Sequence, residues 1–201
     1  MDVHIPDEKE ERIIFAGLRE FANGYESAST NRVCSDAQIS KGLLYHYFQS
    51  KMGFYEFLID FVLEKLLLLI DTLNDLQSKT YSDAIKEGLQ KIFVFSNANP
   101  ELIRFYSRAK YDHKIDFANK IFKPMFEKIV AITTSMLDYP DVKDDLDPEL
   151  VSYIIFRIFE SFNESLLFES LDLLHIWSHP NPVNRFHELI DTILYGIVKK
   201  D

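Results

Sequence analysis

Between residues 24 and 51 the chain places hydroxyls, cations and phenols at spacings suited to gripping a polyanion. Ser29 and Thr30 stand where a short helix would begin, so their hydroxyls and the free N–H groups of the first turn are available to a phosphate. Lys41 and Gly42 open a second short helix. The lysine supplies charge, and the glycine lets a sugar–phosphate chain come close. Tyr45 and His46 fall one turn later on the outward side, in reach of phosphates or base edges, with Tyr47 beside them. Leu43 is apolar, and its natural partner in a major groove is a thymine methyl. Arg32 adds a cation on the first short helix, and Lys51 heads the helix that follows as a further phosphate clamp.

The charge distribution narrows this reading. The 201-residue chain carries a net charge of −10, which argues against coating nucleic acid non-specifically. Surface charges are screened beyond a Debye length of roughly 8 Å, so local balance decides. From residue 29 to 51 the cations Arg32, Lys41 and Lys51 face the single acid Asp36, while acids gather in 7–11 and 141–149. A small basic face on an acidic protein fits a specific duplex binder.

These residues need helices to position them. Ile13, Ile14, Gly17, Leu18 and Phe21 form a stripe at helical spacing over 7–23, and Asn23-Gly24 supplies a left-handed stop. Ser29 or Thr30 starts a helix over 30–37 with Val33 and Ala37 inward. After a turn at 38–40, Ser40 caps a helix over 41–47 with Leu44 and Phe48 on its buried side. Ser50 caps a long fourth helix running into the mid-seventies. Two short helices about a tight turn have the dimensions of a helix-turn-helix, whose second helix enters the major groove. Beyond them, 82–97 is helical, and Asn99-Pro100, Asp147-Pro148 and Asn181-Pro182 mark later helix starts. Pro124 should bend or divide the apolar span 115–138. With 6 glycines and 7 prolines in the whole chain, and no strand signal, the fold is expected to be all-α with about nine helices.

The string G-Y-x-x-x-S-T-x-x-V-C-x-x-A-x-I-S-K-G-L-L-Y-H-Y-F-x-S-K resembles the N-terminal signature of the TetR family of bacterial transcriptional regulators, over roughly residues 10–60. The resemblance implies a DNA-binding domain over 1–50 and a helical ligand-binding and dimerisation domain over 51–201. It also implies a homodimer on a palindromic double-stranded operator, usually repressing until a small effector enters the second domain. Three positions depart from the family pattern. Gln38 stands where the turn usually has glycine, Leu43 where Thr or Asn is common, and Met52-Gly53 where an acidic pair usually starts the long helix.

The rest of the chain supports a second domain independently. Residues 150–168 are apolar over well over half the helix circumference, so that helix must pack on two sides. The last stretch carries a stripe from Phe186 to Ile197. Together, helices around 149–171 and 182–199 would form a four-helix dimer interface. Phe93, Phe105, Tyr111, Phe122, Phe126, Phe156 and Phe159 are numerous enough to line an apolar cavity, with Arg104, Arg108 and Asn163 as polar anchors; the same rings would serve equally as plain core.

Other chemistries lack support in the sequence. No nucleophile elbow, phosphate-binding glycine loop or paired-histidine zinc helix appears, and no cofactor is implied. The alternative function is a small all-α enzyme or carrier with an apolar ligand in the aromatic cavity. Asp172, His175 and His179 share one helical face, but Pro180 follows directly, so a metal site is not expected. Cys34, the single cysteine, reads as a packed thiol. The acidic start, the lone cysteine and the lack of a membrane-length apolar run predict a cytoplasmic protein.

Overall fold

The computed structural model describes residues 7–143 and 146–167, with the isolated positions 184, 188, 191 and 192. Eight α-helices are seen among the described residues: α1 Asp7–Phe21, α2 Thr30–Ala37, α3 Lys41–Phe48, α4 Lys51–Asp71, α5 Tyr81–Ala98, α6 Pro100–Ala109, α7 Lys123–Met136 and α8 Pro148–Leu167. The fold is all-α, as expected. Of the proposed last helix, 182–199, residues 184, 188, 191 and 192 are described and are helical, and its other residues lie outside the described ones, as do the histidines of 175–179. No described helix is long and apolar enough to cross a membrane.

The helix ends follow local chemistry. Gly24 takes φ +102° after α1, a conformation an L-residue rarely adopts. The Ser40 hydroxyl accepts the Leu43 N–H at 3.1 Å, and the Ser50 hydroxyl accepts the Gly53 N–H at 2.9 Å. The Asp147 carboxylate accepts the N–H groups of Glu149 at 2.9 Å and Leu150 at 3.2 Å, fixing the start of α8. Pro124 sits in the first turn of α7, directly after a turn of π-helix at Ala118–Phe122. The chain stays helical from the π turn into α7, and this local irregularity accommodates the missing N–H and the ring of Pro124. A 3-10 turn, Thr72–Asp75, extends α4 into the mid-seventies.

Packing divides the chain into two compact units. The first comprises residues 1–65 and 99–121, the second 66–98 and 122–201. The helix-turn-helix ends with α3 at Phe48, and packing groups the first part of α4 and all of α6 with it. The reason is aromatic. Phe21, Phe54, Tyr55 and Phe105 are fully buried, and Tyr55 joins Phe21 at 5.2 Å, Tyr25 at 5.1 Å and Phe105 at 5.5 Å between ring centroids. In the second unit the core is largely aliphatic, with Leu66, Leu69 and Ile70 of α4, Ile85 and Leu89 of α5, Met125, Ile132 and Met136 of α7 and Ile155 of α8 buried beside Tyr81 and Phe156.

Candidate nucleic-acid interface and ligand cavity

The turn between α2 and α3 is set by Gln38. It adopts φ 56°, ψ 47°, the left-handed region. Its N–H bonds the Ser35 carbonyl at 3.3 Å, and the Ile39 N–H bonds the Cys34 carbonyl at 3.0 Å. This pair of bonds is a Schellman motif, which satisfies the last carbonyls of α2 and turns the chain sharply. The motif is kept despite the missing glycine. Ion pairing steadies the approach: Arg19 meets Asp36 at 2.6 Å, and Arg12 donates to the Gln38 side-chain oxygen at 3.4 Å.

The exit from α3 is tighter still. Gln49 has φ 64°, ψ −41°, and the Ser50 N–H reaches back to the Phe48 carbonyl at 2.7 Å. That is a γ-turn with a positive φ, a strained conformation. It swings the Phe48 carbonyl against α4, where a Cβ on Gly53 would lie 2.2 Å from the oxygen. Gly53, one of the departures from the family pattern, is the residue that lets this turn close.

The ten expected contact residues fall into three settings. Lys41, Gly42 and His46 are exposed on α3, with Leu43, Tyr45 and Tyr47 half-buried beside them. Thr30 is buried, and its hydroxyl meets the Tyr45 hydroxyl at 3.2 Å, tying α2 to α3. Lys41 lies over the Tyr45 ring at 5.8 Å. Ser29 is the residue before α2, but its hydroxyl caps nothing within the helix; its N–H instead donates to Glu20 at 2.8 Å. Arg32 is engaged within the protein. It meets both Glu20 oxygens, at 2.9 and 3.0 Å from Nε, and donates to the Ser27 carbonyl at 2.8 Å. The Arg32 hydrogen bond holds the Glu20 carboxyl below its usual pKa. Lys51 packs over the Tyr25 ring at 4.6 Å and reaches the Glu26 carbonyl at 3.5 Å. Cys34 is buried, which pushes its thiol pKa up.

Sequence reasoning missed Asp112, which fixes the loop before α2. One carboxylate oxygen accepts both the Tyr25 N–H and the Tyr55 hydroxyl, each at 3.0 Å. The other oxygen lies 3.6 Å from Arg108, and only 6% of the side chain is exposed. Burial, reinforced by the Asp112 charge, pushes the Tyr55 phenol strongly upward in pKa, so it remains a donor. The partners are 87 and 57 residues apart in sequence, too far for any local motif to announce them.

A cavity of about 60 Å³ lies within the second unit. Leu66, Leu69 and Ile70 of α4, Leu89 of α5, Met125 and Ile129 of α7 and Ile155 of α8 contribute to its wall, which is almost wholly aliphatic. Among the expected ligand residues, Phe156 lines it. Phe122 and Phe126 stack on each other at 5.8 Å and set their faces and edges against Phe156 at 4.9 and 5.9 Å. Phe93 is half-buried in α5 and does not line the cavity. Phe105 is core of the first unit, and Arg104, Arg108 and Tyr111 are exposed there. The side chains of Phe159 and Asn163 lie outside the described ones. Rings prefer rings, so the aromatics cluster together and leave the open space to leucine, isoleucine and methionine.

With this geometry in place, the comparisons with known proteins are consistent. Residues 13–56 match the model of the bacterial regulatory proteins of the tetR family. The nucleoid occlusion factor SlmA of Vibrio atlanticus is 31% identical over 118 residues, which cover 57% of this chain and 58% of that protein. The chain thus spans a little over half the length of the curated relatives it matches. A TetR family transcriptional regulator from Chloroflexus aurantiacus superposes with a TM-score of 0.70 at 23% identity, over 98% of this chain and 96% of that one. The regulator FadR from Bacillus subtilis, solved in complex with stearoyl-CoA, superposes with a TM-score of 0.68 at 19% identity, over 90% and 97%. The segment carrying the helix-turn-helix thus matches the tetR family of bacterial regulatory proteins, and the chain shares the fold of the solved TetR-family regulators.

Proposed function

We propose that this protein is a ligand-responsive transcriptional regulator that binds a palindromic operator as a homodimer, represses, and is released by a small, largely apolar molecule. The observation that carries the reading is the α2–α3 unit. A Schellman turn and the Thr30–Tyr45 bond hold α3 so that Lys41, Gly42 and His46 stand exposed along one face. Such a helix offers a charge, a close-approach point and a polar ring to the major groove, with Lys51 at the head of α4 for the phosphates. Arg32 acts in this reading as an internal brace through Glu20, and the 1–50 segment remains the DNA-binding domain.

Dimerisation through α8 is supported by its outward residues Leu150, Tyr153 and Ile154, which are 57%, 48% and 37% exposed. A monomer at micromolar concentration in light scattering contradicts it. For the effector, the aliphatic cavity is the candidate site. Drug-sized ligands need roughly 300–1,000 Å³, so binding must widen it; Met125 and Met136, with flexible unbranched side chains, line it and can yield. Residues of α4 serve both compact units, so a ligand that favours one position of α4 alters DNA affinity by its differential binding to the two states.

The test is binding to the DNA beside its own gene. The expected result is a salt-sensitive complex that Lys41→Ala and Tyr45→Ala each weaken at least tenfold; equal binding by both variants refutes the contact assignment. The similarity to nucleoid occlusion factors suggests a second use of the same face, at many dispersed chromosomal sites. Genome-wide occupancy separates the two: one or a few promoter sites support regulation, and dozens of scattered sites support occlusion.

A further inference from the structure

Beside the aliphatic cavity the second unit carries a wider, polar groove of about 270 Å³. Leu73, Leu76, Ile132 and Met136 line both spaces, so a single layer of side chains separates them. The groove's polar side chains are Asn74, Ser135, Asp138 and Tyr139. Their donors are largely used inside the protein. The Asn74 amide donates to the Asp71 carbonyl at 3.1 Å, the Ser135 hydroxyl to the Ile132 carbonyl at 2.6 Å and the Tyr139 hydroxyl to the Ser78 carbonyl at 3.0 Å. What they present to an incoming group is chiefly lone pairs, together with the Asp138 carboxylate, an acceptor with no proton to give when ionised. Among the described residues, none of the groove's walls is lysine, arginine or histidine.

We infer that the effector is an amphiphile whose aliphatic chain enters the cavity past Met136 and whose head group is a hydrogen-bond donor, preferably an ammonium, seated on Asp138 in the groove. The inference rests on the ligand-responsive reading above and gives it a chemical class. A carboxylate or phosphate head would set acceptor against acceptor and charge against like charge, with no cation on the walls to relieve either. In this the site differs from one that takes an acyl-CoA. A neutral alcohol is tolerated, because its hydroxyl can donate, while an amine adds a charge-assisted bond.

The experiment uses the full chain and four probes below their micellar concentrations: decylamine, decanol, decanoate and butylamine. Thermal denaturation is expected to show the largest rise in midpoint with decylamine, a smaller rise with decanol and none with decanoate. Butylamine, with the same charge and too little chain, gives none; a rise equal to that of decylamine would mean attraction to the acidic surface alone and overturns the proposal. Asp138→Asn is expected to lower decylamine affinity about tenfold, the loss of one charge-assisted bond, while leaving decanol unchanged. Glu127→Gln, the same charge change on α7 and outside the groove lining, preserves the preference for the amine. Stabilisation by decanoate as strong as by decylamine, or an Asp138→Asn protein that still prefers the amine, refutes the head-group assignment and leaves the ligand-responsive reading standing. If no ten-carbon probe shifts the midpoint, both fall, and DNA binding is judged separately by its own assay.

Discussion

Replacing Asp112 with alanine removes the one acceptor shared by the Tyr25 N–H and the Tyr55 hydroxyl, each 3.0 Å from the same oxygen. Tyr55 is fully buried, so water is not at hand to replace the carboxylate. A hydrogen bond to a charged group contributes about 1.5–3 kcal/mol, and a buried donor left unpaired costs about 1–3 kcal/mol. These are two views of the same loss, so the expected destabilisation is about 2–4 kcal/mol and not their sum. Tyr55→Phe removes the hydroxyl but leaves Asp112 with the Tyr25 N–H and Arg108, so it should cost only about 1–1.5 kcal/mol. In the Asp112→Ala background the same Tyr55→Phe change should be neutral or stabilising, because it deletes the orphaned hydroxyl. The coupling energy is then about 1–2 kcal/mol. Urea unfolding followed by circular dichroism, with all four proteins at one concentration, measures the cycle. If Asp112→Ala costs under about 0.5 kcal/mol, or Tyr55→Phe costs the same in both backgrounds, the carboxylate does not hold the loop before α2 and the reasoning is wrong.

Four further outcomes follow, three from glycine and turn positions and one from an ion pair. Gly53→Ala should destabilise by about 1–3 kcal/mol, since its Cβ meets a backbone oxygen and not a yielding side chain. Gly42→Ala, where the nearest atom is 3.9 Å away, should stabilise by about 0.5–1 kcal/mol while weakening DNA binding; thermal unfolding and a DNA titration of both variants check the opposite signs. Gln38→Gly should gain about 0.5–1 kcal/mol, the left-handed strain relieved less the added chain entropy, and a loss in urea unfolding would mean that the Arg12 contact outweighs the strain. For Glu20, the folded carboxyl is depressed by Arg32, so its stabilisation is present above the unfolded pKa and is lost as pH falls through the folded one. The stability gap between the parent and Glu20→Gln should therefore close on acidification, and a gap that persists into acid contradicts the ion pair's role.

The parts of this molecule legible in its sequence are those governed by near neighbours. Ser40, Ser50 and Asp147 cap the helices their positions announce, because a cap acts over three residues. Gln38 stands where the family pattern has glycine, and it takes the left-handed conformation that glycine would. Gln49 was not readable, since its γ-turn depends on the complementary absence of a Cβ at Gly53. Arg32 read as a free cation because Glu20, its partner, lies on another helix. The cavity was sought among phenylalanines, whose helical spacing marks burial without saying whether the buried face meets a neighbour or a void. Its wall is built from four helices of ordinary leucine and isoleucine stripes, and only their assembly shows which stripes fail to meet.

The central claim is that the exposed face of α3 grips duplex DNA through its lysine. The most direct measurement is the dependence of the binding constant on salt concentration, for the parent and for Lys41→Ala, on one duplex selected by the parent from a randomised library. Each phosphate contact contributes about 0.9 to the log–log slope. The expected result is a slope shallower by about 0.9 in the variant, with weaker binding at every salt concentration. An unchanged slope contradicts the account.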